Sequence, residues 1–378
     1  MTALEWLFWL SVVFVFYAYF GYALFLYAIS FVRSRQVQFA DYTPTVSFII
    51  TAHNEELRIR EKLENTLLLS YPPERVDMVV ASDCSTDRTH DIVREYAAKG
   101  VRLVVAPERR GKEFAQKTAI EATSGEVLVF TDVAARLDTG GLRTILRAFA
   151  DPTVGCVSSA DRLIDADGQV SGEGAYVRYE MFLRDLESRV GSVAGLSGSF
   201  FAARREVCQS WATDIPSDFT TLLNTLKHGW RGISDRDAIA YYKNISDERR
   251  EYSRKVRTIV RGMSGLLRHL TLLNPFQYGL AAWQLFSHKL CRWLVPFALL
   301  IALLASLVLA FSNRFYAVLA LLQVGVYVIA AIGMRRVGRL SGVHRLVTFL
   351  VSSNLSILHA WLHVARGRRV VLWEPSRR

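Results

Sequence analysis

Five stretches of this chain hold side chains able to handle a charged, phosphate-bearing ligand. EVLVFTDVAARLD (Glu126 to Asp138) runs an apolar strand into one acid, Asp132; two residues on, where a second acid would complete an obvious cation site, stands Ala134. ASDCSTDRT ends another strand at Asp83, with Ser85 and Asp87 in the turn that follows. Ser, Asp and Thr favour turns and helix caps on their own account. Asp83 is therefore either part of a local cap or an acceptor of hydrogen bonds from a ligand's base or ribose. In RRGKEFAQ, Gly111 and Lys112 open a helix. A helix N-terminus offers free backbone N–H groups and partial positive charge, and a lysine there adds a compact cation for a phosphate, unless it is simply solvated. The GxxxxGK[ST] spacing of a Walker loop is absent. In IPSDFTTLLNTLKHGWR, Asp218 follows a proline turn and opens a helix. It is either a first-turn acid favoured by the helix dipole or a general base that takes a proton from an attacking hydroxyl. RREYSRKVRTIVRG is a dense basic helix in which Arg254 and Arg257, three apart, share a face. It reads as a juxtamembrane positive patch or as a clamp on a pyrophosphate or lipid phosphate, since guanidinium forks match phosphate oxygens.

Something must bring these residues together. TVSFIITA, VDMVVASD, VRLVVAP and EVLVFTD are apolar runs of strand length, and charged stretches of helical length separate them. Such alternation predicts an α/β domain with a mostly parallel sheet and helices on both faces. Ligands of these sheets bind beyond the carboxyl ends of the strands. That rule selects Thr51 to Glu55, Asp83 to Asp87, and Asp132. DADG (Asp165 to Gly168) has the composition of a hairpin turn.

The rest of the chain is of another kind. Trp6 to Val32, Trp293 to Asn313 and Phe315 to Met334 carry no formal charge, and about 20 apolar residues of helix cross a bilayer. A cleaved signal peptide would need a basic start and a short apolar core; the first run starts with Glu5 and is long and aromatic, so a retained anchor is expected. The formal charge of +11 admits nucleic acid as a partner. The bases instead flank the apolar runs, at Arg33 and Arg35, Arg335 to Arg339, Arg366 to Arg369, and Arg377 and Arg378. Lys and Arg concentrate on the cytoplasmic side of membranes and attract anionic lipids, so membrane lipids are the expected partner and nucleic acid is not. Cys84, Cys156, Cys208 and Cys291 are far apart, without the spacing of a zinc or redox motif.

The expected organisation is a transmembrane anchor over 1–36 with its N-terminus outside, a cytosolic domain over 44–261, an amphipathic interfacial segment over 262–290, and two transmembrane helices over 291–334. The last part, 335–378, is expected to hold an interfacial or re-entrant helix and a basic tail, because 346–365 mixes apolar residues with serines, an asparagine and two histidines.

Taken in order, PTVSFIITAHNEE, SDCSTDRT, GK, GEVLVFTD, GLSGSFFAARRE, PSDF with HGWR, and RKVRTIVRG resemble the family 2 glycosyltransferases, inverting enzymes of the GT-A fold. The resemblance covers about 44–261, and the flanking helices resemble the family's membrane-bound polysaccharide branch. It implies a GT-A-type sheet with transmembrane helices at both ends. It implies nucleotide-sugar contacts from Thr51, His53, Glu55, Asp83, Lys112 and Asp132. Gly198 and Ser199, within Gly195 to Phe201, would floor the acceptor side. Asp218 would be the catalytic base, although Ser217 stands where the family often has an acid. Arg254 and Arg257 match two positions of the family's Gln/Arg-x-x-Arg-Trp motif, with Thr258 in place of the tryptophan. That motif in full belongs to processive synthases, so transfer of one sugar is favoured over a processive polysaccharide synthase.

The same resemblance implies Mg²⁺ or Mn²⁺ at Asp132, with the donor diphosphate and water completing the ligands where Ala134 supplies none. The alternatives are that Lys112, Arg254 and Arg257 neutralise the diphosphate beside a weakly held metal, or that the chain is a non-catalytic nucleotide-binding or scaffold protein. The expected substrates are a nucleotide-diphospho-sugar, UDP-linked ahead of GDP-linked, and a saccharide on a polyprenyl diphosphate. The implied setting is the bacterial inner membrane, multi-pass, with the domain on the cytoplasmic face and other polysaccharide-assembly enzymes as partners.

Overall fold

A computed structural model describes residues 1–164, 175–243, 248–335 and 342–367. The DADG stretch lies outside them. The chain divides into two compact units. Among the described residues one is formed by 28–164, 175–243 and 261–284, the other by 1–27, 248–260, 285–335 and 342–367.

The first unit is built on an eight-stranded sheet. Its strands are β1 (Val46–Ala52), β2 (Val76–Ser82), β3 (Val101–Val105), β4 (Val127–Asp132), β5 (Arg136–Leu137), β6 (Val154–Ile164), β7 (Phe200–Arg204) and β8 (Arg231–Lys243). The spatial order is β3-β2-β1-β4-β7-β6-β8-β5. The first four strands in that order pair in parallel. The sheet then turns mixed: β7 is antiparallel to both β4 and β6, β8 is parallel to β6, and β5 is antiparallel to β8. The structure thus confirms an α/β sheet, with parallel order concentrated in the half that alternates with helices.

Both faces of the parallel half are covered, and β1 shows how. All seven of its residues are buried. Side chains alternate between faces along a strand. Val46, Phe48, Ile50 and Ala52 share one core with Ile59 and Leu63 of the helix Ile59–Leu67. Thr51, on the other face, meets Gln116 of the helix Lys112–Glu121. Across β4 and β7, Phe130 stacks on Phe201 at 4.9 Å and on Trp211 at 5.0 Å. In register, Thr51 pairs with Asp132 and Ala52 with Ser82. The carboxyl ends of β1, β2 and β4 are therefore level, and the acids that follow them rise from one edge.

The second unit is helical. Four helices are long and apolar enough to cross a membrane by length and composition: Ala3–Val32, Pro275–Leu309, Arg314–Arg335 and Gly342–Ala365. Within the expected interfacial segment 262–290, the helix Pro275–Leu285 runs on into Arg292–Leu309 through a π-helical turn at Phe286–Cys291; an early break at Gly279 (φ 52°) is followed by good helix formers that let it propagate. Within this unit, Phe8 packs on Ala302, Ala305, Leu309 and Tyr316, small residues letting helices approach closely. Trp6, Leu10, Phe20, Leu321 and Leu322 face outward, as lipid-facing positions would.

Candidate active site

The site grows from the level strand ends. After β2, the fully buried Asp83 carboxylate accepts hydrogen bonds from the backbone N–H of Arg110 at 3.0 Å and of Gly111 at 3.0 Å. These are donors that the start of the helix Lys112–Glu121 would otherwise leave unsatisfied. Gly111 takes φ 103° there, a conformation open to glycine at little cost. Asp83 thereby fixes the turn that launches Lys112 towards β4.

The Lys112 ammonium lies 2.5 Å from Asp132 Oδ1 and 2.9 Å from the Gly198 carbonyl. It is nearly buried, while Asp132 keeps partial access to solvent. Asp132 also donates its backbone N–H to Ser199 O at 3.0 Å, which ties the end of β4 to the GLSGS segment. Gly198 completes the link. A Cβ added to it would stand 3.4 Å from Asp218 Oδ2 and 3.5 Å from its Cγ. Asp218 sits in the first turn of the helix Ser217–Lys227. Asp132, Lys112, Gly198 and Asp218 therefore form one contiguous chain of contacts, drawn from residues far apart in sequence.

The other expected residues divide. His53 is buried and its Nδ1 lies 2.7 Å from the Asp83 carbonyl. Glu55 is buried, held by Arg58 at 2.6 Å, and its backbone N–H reaches Thr89 Oγ1 at 2.8 Å. Burial lifts the Glu55 carboxyl above its ordinary range, Arg58 works against that, and Asp132 and Asp87 add to the lift. Thr51 is fully buried, its hydroxyl accepting from Gln116 at 3.1 Å; it supports the site from beneath. Ser199 joins a hydroxyl network with Ser197 at 2.8 Å and with Tyr242, and Ser197 donates to Asp161 at 2.5 Å. Arg254 and Arg257 lie on the helix Glu248–Leu267, in the stretch that clusters with the helical unit.

Two positions escaped the sequence reading. Lys62 is buried with its ammonium 3.0 Å from Thr131 Oγ1 and 2.6 Å from the Ala135 carbonyl, on either side of Asp132 and Ala134. Burial pushes it down to about 7, with Asp132 working against. Its signal was the helix face it shares with Ile59, Leu63 and Thr66, a spacing that marks core positions. Arg261, four residues beyond Arg257, pairs with Glu113 at 2.6 Å, both buried. Further along, Arg268 meets Asp214 at 2.5 Å.

Toward a divalent cation the site offers one carboxylate, Asp132, and its Oδ1 already carries Lys112. Among the described residues no three His, Cys, Asp or Glu side chains converge to hold an ion. Mg²⁺ is commonly held by one or two carboxylates together with substrate phosphates and waters. With one carboxylate, half of it committed to Lys112, the residues present do not by themselves fit a divalent cation.

A mixed α/β sheet with acids at its parallel strand ends, closed by an antiparallel strand beside a helix-borne acid, is the GT-A type of fold. The chain aligns over 96% of its length with all of a mannosyltransferase from Pyrobaculum calidifontis, solved in complex with GDP-Man and Mn²⁺, at a TM-score of 0.73 and 23% identity. Residues 47–211 match the model of glycosyl transferase family 2. The chain is similar to the probable glycosyltransferase YdaM of Bacillus subtilis, 28% identical over 177 residues, which are 44% of this chain and 42% of the relative. It is also similar to the beta-monoglucosyldiacylglycerol synthase of a Nostoc species, 25% identical over 195 residues, 49% of this chain and 42% of the relative. The alignments thus span less than half of these two relatives.

Proposed function

We propose that this chain is a membrane-bound inverting glycosyltransferase that moves one sugar from a nucleotide-diphospho-sugar, UDP-linked rather than GDP-linked, to a saccharide carried on a polyprenyl diphosphate, in the synthesis of a cell-surface polysaccharide. The observation that carries the reading is the contiguity of Asp132, Lys112, Gly198 and Asp218. It brings a phosphate-binding cation and a candidate base to one residue, Gly198, the first on its carbonyl and the second beside its α-carbon.

In this mechanism Asp218 takes the proton of the acceptor hydroxyl. The freed oxygen attacks the anomeric carbon from the face opposite the diphosphate, the bond to the diphosphate oxygen breaks, and the configuration inverts. The nucleoside diphosphate leaves with the electron pair, and the Lys112 ammonium stabilises the charge that builds on it. Asp83 holds the Gly111 turn that aims Lys112, and with His53 and Glu55 it shapes the nucleotide end. Ser199 and Gly198 floor the acceptor side, and Arg254 and Arg257 are the residues proposed to bind the acceptor's diphosphate. Asp132 is the one carboxylate at this point of the site, and with its Oδ1 on Lys112 the charge of the diphosphate falls to Lys112.

A lipid-borne acceptor is supported by the four apolar helices and by a relative named for a glucosyldiacylglycerol product. Arg33 and Arg35 after the first span support an inner-membrane, multi-pass arrangement with the catalytic domain on the cytoplasmic face. Membrane lipids and other polysaccharide-assembly enzymes are the partners in this reading.

The test is a donor screen on membranes containing the protein, scoring UDP or GDP release and a glycosidic product on lipid-linked saccharides. Release from one sugar nucleotide with a product extended by one sugar is expected. Purified protein that forms no glycosidic bond with any donor and a matched lipid acceptor would overturn the proposal.

A further inference from the structure

The charges at the strand ends are already balanced from within the chain. Asp132 has Lys112 on its Oδ1. Glu55 has Arg58. Asp83 spends both carboxylate oxygens on the Arg110 and Gly111 amides. Ala134 adds no ligand, and the loop that carries it is held from below by the Lys62 side chain. A divalent cation needs uncommitted oxygen ligands and an excess of negative charge. At this edge Asp132 keeps only Oδ2 outside its contact with Lys112, whose charge offsets its own.

It does have a donor to spare. An ammonium carries three N–H groups. Lys112 spends one on Asp132 and one on the Gly198 carbonyl. The third is left for a ligand, and the ammonium is held nearly buried, where its charge is weakly screened. Two fixed partners pin it, so little ordering remains when an anion arrives.

We propose that Lys112 is the resident cation of this site and that a nucleoside diphosphate binds here without a divalent metal, Ala134 being the residue whose type keeps the metal out. The inference rests on the reading of the site as a nucleotide-sugar pocket and adds to it how the diphosphate charge is met. It also predicts a conversion: Ala134→Asp restores an uncommitted carboxylate beside Asp132 and makes the site metal-responsive.

Full-length protein in detergent would be titrated calorimetrically with UDP, GDP, CDP and dTDP, once in EDTA and once in Mn²⁺. Free Mn²⁺ would be followed in parallel by its electron paramagnetic resonance signal. Wild type is expected to bind one of the diphosphates with affinities that agree within about threefold in the two buffers, under 1 kcal/mol. Lys112→Met should weaken that binding by about tenfold or more, with no rescue by Mn²⁺, the size expected for a lost charge-assisted hydrogen bond. Ala134→Asp should deplete free Mn²⁺ where wild type does not, and should bind the diphosphate more tightly in Mn²⁺ than in EDTA. Wild-type binding that disappears in EDTA overturns the inference and leaves the pocket reading intact. So does an Ala134→Asp protein that takes up no more Mn²⁺ than wild type. Failure of all four diphosphates in both buffers overturns the pocket reading itself.

Discussion

Strands β3, β2, β1 and β4 run parallel and alternate with helices, whereas β7, β6 and β8 join them through antiparallel contacts and long excursions of the chain. The two halves of the sheet acquire their polar groups differently. In the parallel half, a polar residue follows directly from a strand end, as Asp83 follows β2 and Asp132 closes β4. In the mixed half, Asp161, Ser197, Ser199 and Tyr242 meet in one network although β6, the GLSGS segment and β8 supply them separately. One half positions groups by local geometry, the other by tertiary assembly. In the proposed reaction the first faces the donor and the second the acceptor.

The sharpest separation of the halves comes from Asp218→Asn. Turnover is expected to fall by about 10²–10⁴-fold, the usual worth of a general base. Affinity for the nucleoside diphosphate should stay near that of wild type. Steady-state turnover beside calorimetric binding measures both, and a variant that turns over normally would remove Asp218 from the base role.

Gly111→Ala addresses the donor half. A Cβ at φ 103° is strained by about 1–3 kcal/mol, so the turn should relax, loosen the Asp83 contacts and lower both melting temperature and nucleotide affinity. A variant with unchanged affinity would show that Lys112 does not depend on this turn.

Lys62 lies beneath the seam between the halves and should make its contribution pH-dependent. Its ammonium is depressed to about 7 in the folded chain, while an unfolded lysine holds its proton to about pH 10.4. Between those values unfolding takes up a proton, so the burial cost is full below pH 7 and fades as pH rises. Wild type should therefore gain on Lys62→Met over this window, by at most about 1.4 kcal/mol per pH unit. Thermal unfolding of both proteins in parallel checks it; a pH-independent difference would mean that Lys62 keeps its charge when buried.

The smallest effect belongs to Tyr242→Phe, on the acceptor half. Removing the hydroxyl that Ser199 meets should cost about 1 kcal/mol of stability and disturb acceptor KM more than donor affinity. Burial, and Asp161 beside it, push the Tyr242 hydroxyl well above its ordinary range.

Much of the parallel half was legible because its strands are continuous apolar runs and its acids punctuate them. Asp132 and Lys112 were expected near one ligand and the structure brings them into contact. Asp218 was read as opening a helix and does so. Other features depend on distant partners that no local pattern encodes. Asp83 turns its carboxylate to the amides of residues 110 and 111, and Thr51 bonds inward to Gln116. The insertion of β7 between β4 and β6 reverses the strand direction where alternation alone predicts more parallel order. Lys62 was hidden by its type, because a lysine on a helix reads as solvated until the face it shares with Ile59 and Leu63 is traced.

The peptide unit at Gly198 belongs to both halves at once, its carbonyl on Lys112 and its α-carbon against Asp218. For anyone seeking to retarget this protein to another sugar, that makes residue 198 the wrong place to begin. A side chain larger than a methyl there would press on Asp218, while the carbonyl of the same residue holds Lys112. The surroundings of Asp83 and of Ser199 lie one step away on either side and allow each end to be retuned alone.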